Sequence, residues 1–303
     1  MDFQHLTYRR DDRVATITLN QPDRLNAIHR DMPDEIRQAV DLANRDDLVH
    51  VIVLQGAGRA FCAGYDLKAY AEAPRTQTGT QDGAYDPFLD YQFMDRCTQN
   101  FMSLWRSYKP TICKVHGYAV AGGSDIALSC DLIVMAEDAK IGYPPARVWG
   151  CPTTMMWVYR VGAERAKRML FTGDLIDGRE AERIGLVTKA VPADQLDTEV
   201  ARLCARMKGV PKNQLWMQKT AINAAFDNMG LRTTQTLATV FDGLTRHSPE
   251  GLWFKGRAEA VGFQQAVRER DSGDPIPGSK PARNNQRAAA LQKRRVAGRE
   301  AQG

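Results

Sequence analysis

The sequence has no long apolar run. Nothing in its 303 residues approaches the roughly 18 consecutive apolar residues of a membrane-spanning helix, which excludes such a helix. The opening stretch MDFQHLTYRRDDRVATITLN lacks the apolar core of a secretion signal. Cysteine is scarce and scattered: Cys62, Cys97, Cys113, Cys130, Cys151 and Cys204 form no CxxC pair, and their spacing to histidine fits no zinc motif. Reduced thiols in a soluble, cytoplasmic protein are the expectation. There is no internal repeat, so a stacked-repeat architecture is excluded.

A basic body is lacking too, despite a net charge of +5. Seven of the 41 Lys and Arg lie between Gly278 and Gly303, against a single acid, Glu300. The preceding residues carry 34 basic and 35 acidic side chains, close to neutral. The tail reads as a solvated segment and could form a basic helix over residues 286 to 299, but no nucleic-acid partner is expected. If the tail did bind an acidic partner, its removal would abolish that binding, which would fall steeply with salt.

What is present is an ordinary globular composition, 43% hydrophobic and 25% charged, with enough chain for a sizeable core. The first half alternates strand-like and helix-like segments. Residues 14 to 19, 50 to 54, 111 to 115 and 132 to 135 read as strands, and residues 31 to 43 as a helix. A long helix is predicted over residues 87 to 108, stopped by Pro110. This alternation predicts an α/β sheet with crossovers. Beyond residue 154 the pattern turns mostly helical, over residues 164 to 171, 194 to 207, 213 to 226, 233 to 247 and 249 to 269. Three regions follow: an α/β core over residues 1 to 200, a helical region over 201 to 271, and a basic, unstructured tail over 272 to 303. Residues 72 to 85, polar and rich in Thr and Gly, read as a surface loop.

Two glycine-bearing stretches carry the chemistry. In VHGYAVAGGSDIALSCD, residues 115 to 131, Gly122 and Gly123 stand at a helix start, where backbone N–H groups lack intrahelical partners. The helix dipole favours negative charge there, and glycine removes the Cβ that would keep a ligand off the backbone. In GRAFCAGYDLKAY, residues 58 to 70, the same order recurs: strand, small residues, Gly64, a carboxylate, then a helix. Two such donors could converge on one oxygen, as an oxyanion hole requires. Close helix packing is the alternative reading of the glycines.

Together these stretches resemble the enoyl-CoA hydratase/isomerase, or crotonase, superfamily. The resemblance runs from RLNAI at residues 24 to 28 through both glycine stretches to FTGDLIDGREAERIGLV at 171 to 187, and covers residues 10 to 270. It implies a spiral of ββα units with a helical C-terminal region that mediates trimer contacts, trimers often pairing into hexamers. It implies no metal or redox cofactor, with acyl-CoA as substrate. The oxyanion-hole positions match Tyr65 and Gly122. Backbone around Leu25, Asn26, Ala27, Ala63, Asp66 and Leu67 matches the segment along the CoA moiety.

Similar hydratases use two glutamates, one as base toward water and the other to protonate the α-carbon. Carboxylates suit both tasks because each can hold or release a proton when its pocket tunes it. The first position matches Asp125, one methylene shorter. The second matches Pro145, which has no proton to exchange, and no acid occurs from Ile141 to Gly162. Tyr143, Arg147 and Trp149 flank Pro145 as possible pocket residues: Tyr143 a proton donor, Arg147 a partner for a negative group, with packing or surface pairing the alternative for both, and Trp149 a packing or acyl-lining residue. Asp66 and His116 read mainly as supports of their loops, and Cys62 and Cys130 as small buried residues. The resulting expectation is hydration of a 2-enoyl-CoA, or its reverse, with Asp125 as acid/base. The alternatives are other enolate chemistry (isomerisation, hydrolysis or decarboxylation) and acyl-CoA binding without turnover.

Overall fold

The computed structural model describes residues 3–72, 84–273 and 276. Most of the predicted surface loop and nearly all of the predicted basic tail lie outside the described residues. No helix among those described is long and apolar enough to cross a membrane.

The N-terminal hairpin pairs β1 (Leu6–Asp11) antiparallel with β2 (Val14–Leu19). Alternate residues of β2 are buried, as its period-two pattern requires. After α1 (Met32–Arg45), β3 (Val51–Gly56) lies parallel to β2, its first four residues buried on both faces. Asp86 caps α2 (Pro87–Phe101), accepting from the N–H groups of Phe88 (3.0 Å) and Leu89 (3.1 Å), with Pro87 at the first helical position. The predicted helix over residues 87 to 108 is two: Met102 joins α2 to the short α3 (Ser103–Arg106), and the chain leaves helical geometry at Ser107.

Two strand–strand–helix passages then follow. β4 (Thr111–Val115) joins β3, β5 (Tyr118–Val120) crosses to a second sheet, and α4 (Gly122–Leu128) returns. β6 (Leu132–Ala136) joins β4 and β7 (Lys140–Gly142) joins β5. Past α5 (Met156–Thr172), β8 (Leu175–Asp177) adds to the small sheet; past α6 (Gly178–Arg183), β9 (Lys189–Val191) adds to the large one. The large sheet runs β1-β2-β3-β4-β6-β9, parallel from β2 onward, and the small one β5-β7-β8. This is an α/β arrangement with repeated strand–strand–helix passages, as the resemblance implies.

The C-terminal region is helical: α7 (Leu196–Lys208), α8 (Lys212–Asn228), α9 (Leu231–Arg246), α10 (Pro249–Val261) and α11 (Phe263–Asp271). A boundary at residue 200 would cut α7, whose Leu196, Val200 and Cys204 belong to the main core. The predicted single helix over residues 249 to 269 breaks at Gly262, where φ is +83°, a value that favours glycine. The break folds α11 back on α10, and Phe254, Ala258 and Ala266 close a small second core over Val148 and Ala71.

Candidate active site

Backbone geometry brings Tyr65 and Gly122 together. Tyr65 forms a lone parallel bridge with Ile28: the Gly64 carbonyl accepts from Ile28 N–H (2.8 Å), and Asp66 N–H donates to the Ile28 carbonyl (3.2 Å). In such a bridge the N–H of the middle residue, Tyr65, faces the other way. Gly122 opens α4, so its N–H has no intrahelical acceptor. Neither N–H has a hydrogen-bond partner among the described residues. Tyr65 is not at a helix start, as the sequence suggested, because the helical turn Lys68–Glu72 begins only after it. With seven residues, α4 has little dipole; the N–H groups themselves are what the site offers.

The glycines make this juxtaposition possible by packing. Gly64 has φ +91°, and a Cβ there would lie 2.8 Å from the Val120 carbonyl oxygen and 3.5 Å from Gly122 N. A Cβ on Gly123 would sit 2.2 Å from the Cys62 carbonyl oxygen, and one on Gly122 would meet the Tyr65 ring at 2.9 Å. Ala121, just before α4, holds φ 54° and ψ −127°, a strained conformation for a residue with a Cβ. Arg160 of α5 donates to the carbonyls of Leu128 and Cys130, fixing the far end of α4.

Both segments open onto a largely apolar cavity of about 450 Å³. Of the predicted residues, Ala63, Tyr65, Leu67, Gly122, Asp125, Tyr143, Pro145 and Trp149 line it. Asp125 is 2% exposed and accepts a short hydrogen bond from Thr154 Oγ1 (2.5 Å). Burial raises its carboxyl to about 7; the Thr154 bonds oppose the rise, and the charge of Asp242 adds to it. Burial also holds Tyr143 well above the usual phenol range, and its hydroxyl donates to the Cys151 carbonyl (3.0 Å). Trp149 stacks obliquely on Phe254, ring centres 5.2 Å apart.

Arg147 is not a pocket residue. Its guanidinium turns outward, donating to the Thr172 carbonyl (2.7 Å) and Asp271 (2.9 Å), so it ties the segment after β7 to α11. Leu25, Asn26, Ala27 and Asp66 lie outside the cavity lining. The buried Asn26 side chain accepts from Gln21 N–H and donates to the carbonyls of Ala57 and Ala60, each at 2.8 Å. Asp66 caps the turn at Lys68 and Ala69 and pairs with Arg24 at 3.2 Å. His116 bonds the Gly58 carbonyl (2.9 Å), and Cys62 and Cys130 are fully buried.

The largest omission from the sequence reading is α9. Gln235, Thr239 and Asp242 are buried on one face of this helix, and Arg246 continues it. Gln235 donates to the Thr154 carbonyl (3.1 Å), backing the residue that holds Asp125; Asp242 and Arg246 line the cavity. The signal was the recurrence of Gln235, Thr239, Asp242 and Arg246 at helical spacing. Phe263, Gln264 and Val267 of α11 close another wall. Away from the cavity, His5, His29 and Asp31 bring possible metal-ligand atoms within 4.8 Å of one another.

Known proteins resemble this chain in sequence and fold. A family profile described as enoyl-CoA hydratase/isomerase matches residues 9–253. An enoyl-CoA hydratase structure from Mycobacterium smegmatis is 47% identical with a TM-score of 0.84, over 89% of this chain and 94% of that one. A probable enoyl-CoA hydratase of Mycobacterium bovis is 32% identical over 75% of this chain and 84% of its own length. A crotonyl-CoA hydratase of Syntrophomonas wolfei is 30% identical over 77% of this chain and 85% of its own. A profile spanning most of the chain, with relatives matched over most of their length, leaves one assignment: the chain belongs to the enoyl-CoA hydratase/isomerase family and is an acyl-CoA enzyme of the crotonase fold.

Proposed function

We propose that the protein hydrates a 2-enoyl-CoA, or dehydrates the corresponding 3-hydroxyacyl-CoA, through a thioester enolate. The observation that carries this reading is the pair of unpartnered N–H groups of Tyr65 and Gly122 beside the buried carboxyl of Asp125. The two donors hold the thioester oxygen where negative charge develops as water adds to the β-carbon. Asp125 sits one helical turn along α4 from Gly122 and exchanges a proton with the α-carbon. A carboxyl near 7 is half protonated at neutral pH and serves as donor or acceptor. The apolar walls take the acyl chain, and the backbone of Leu25, Asn26, Ala27, Ala63, Asp66 and Leu67 follows the CoA moiety toward solvent. No resident cofactor takes part; the CoA thioester is the substrate. Six free thiols suit a cytoplasmic location.

The test is turnover of crotonyl-CoA and of a longer 2-enoyl-CoA, followed by loss of the conjugated-thioester absorbance, for wild type and Asp125→Asn. Wild type should turn over at least one substrate, and the variant should be slower by about 100-fold or more. Pro145 favours a second reading, in which the enolate undergoes isomerisation, hydrolysis or decarboxylation instead. Acyl-CoA bound by wild type and converted to an isomerised, hydrolysed or decarboxylated product, with no hydration, would select it.

A further inference from the structure

Pro145 leaves a corner of the cavity without the expected acid, yet a carboxylate reaches that corner from α9. A Cβ on Gly150 would lie 3.1 Å from Pro145 Cβ, 3.4 Å from Asp242 Oδ1 and 3.4 Å from the Tyr143 hydroxyl. Proline, tyrosine and the distant aspartate therefore crowd one point. Asp242 is 4% exposed and lines the same cavity as Gly122 and Asp125.

Its two oxygens differ. Oδ1 accepts from Cys151 N–H (2.9 Å), which fixes the carboxylate plane against the segment that carries Pro145. Oδ2 is buried, makes no hydrogen bond among the described residues, and lies 3.3 Å from Arg246 Nη1, a charge contact without hydrogen-bond alignment. Arg246 directs Nη2 to both oxygens of Asp90, at 2.6 and 2.8 Å. One guanidinium thus serves two carboxylates. Gly243 permits this, since a Cβ there would strike Asp90 Oδ2 at 2.2 Å.

We infer that Asp242 is the second carboxylate of the reaction, supplying from α9 the base that the Pro145 position lacks. This rests on the hydration reading. Asp242 takes a proton from the attacking water as its oxygen bonds to the β-carbon. The C=C electron pair moves into the thioester, whose oxygen is held by Tyr65 and Gly122. Asp125 then delivers its proton to the α-carbon. The proton left on Asp242 returns to Asp125 through solvent, and the net change is addition of H and OH.

The surroundings assign the roles. Facing Asp242 are Arg246 on its own helix, Asp90 of α2, Asp125 of α4, Tyr143 and Cys151 of the segment after β7, and Tyr65 and Tyr85. Burial raises the Asp242 carboxyl, but Arg246 favours its charged form, and among the described residues no comparable cation faces Asp125. When the pair carries one proton, Asp125 holds it and Asp242 is the base.

The experiment compares full-length wild type with Asp242→Asn, which keeps shape and can still accept from Cys151 N–H, and with Asp242→Glu. Hydration of crotonyl-CoA is measured across pH beside deuterium exchange at the α-carbon of butyryl-CoA in D2O, butyryl-CoA affinity and the thermal midpoint. Exchange requires the enolate and Asp125 but no attack by water. The expected result for Asp242→Asn is hydration slower by about 100-fold or more, with exchange and affinity within about threefold of wild type. The acidic limb of kcat/KM should disappear, and Asp242→Glu should restore part of the rate. Three results would overturn the inference: hydration in Asp242→Asn within threefold of wild type, joint loss of hydration, exchange and binding in both variants, or wild type that exchanges but never hydrates. The third removes the hydration reading as well; the first leaves that reading standing and removes Asp242 alone.

Discussion

At the scale of single residues, Asp125 sets what the site can do and what it costs. A carboxyl held at about 7 instead of 3.8 destabilises the folded state by roughly 4 kcal/mol at pH 8, an upper bound for complete burial. The direction follows from proton binding: between these values the native state holds a proton that the unfolded chain has released, so stability falls as pH rises from about 4 to above 7. Asp125→Asn removes that dependence, and urea unfolding at pH 5 and pH 8 should show the variant gaining on wild type at the higher pH. Activity should move the other way. In the proposed hydration Asp125 must be protonated, so wild-type kcat/KM should decline above about pH 7. Gly64 is the other sharp residue. Gly64→Ala places a side chain at φ +91° against the Val120 carbonyl, costing about 1–3 kcal/mol in stability. It also displaces Tyr65 N–H from Gly122 N–H, so enoyl-CoA turnover should fall by about 100-fold. Asp125 and Gly64 were both legible in the sequence because their stretches combine a strand, small residues and an acid within a short span. Arg147 was left open between the pocket and a surface pairing because spacing cannot reveal which way a long side chain turns; here Asp271 and Thr172 draw it to α11.

At the scale of elements, the C-terminal helices act as walls of the site as well as additions to the core. α8 is anchored by Lys219, whose ammonium donates to Asp131 (2.7 Å) and to the carbonyls of Leu104 and Lys109 (3.0 Å each). Asp131 also accepts from Thr111 N–H (2.7 Å), so one largely buried pair joins α8 to the starts of the neighbouring strands β4 and β6. Lys219→Ala leaves that carboxylate unpaired and should cost about 3–5 kcal/mol, read as a shift of the denaturation midpoint without loss of acyl-CoA affinity. α9 backs Asp125 through Gln235 and Thr154 and presents Asp242 to the cavity. The strands and most helices were legible from periodicity, since β2 alternates and the first four residues of β3 are apolar. The polar stripe of α9 is visible as a pattern but its role was not, because its partners lie on α2 and the segment after β7. No local pattern records contacts between elements so distant in sequence. The breaks at Met102 and Gly262 were hidden for a related reason: the apolar pattern continues across both.

At the scale of the whole molecule, the outer face of α9 exposes Leu237, Val240, Phe241 and Leu244, spaced to form one apolar stripe. Trp216, Met217 and Ile222 are exposed on α8. Such faces fit the trimer or hexamer that the sequence led us to expect. Light scattering on the eluting protein should give a trimer or its double, and Leu237→Asp with Phe241→Asp should shift it to smaller species. Because α9 carries this stripe on one side and Asp242 on the other, an assembly through the stripe would couple subunit contact to site geometry. The central claim concerns the enolate, and deuterium exchange at the α-carbon of a saturated acyl-CoA tests it most directly. Wild type should exchange the α-hydrogen of butyryl-CoA, and Asp125→Asn, still binding the thioester, should lose that exchange by 100-fold or more. Binding by wild type without exchange, or exchange unchanged in Asp125→Asn, would contradict the account.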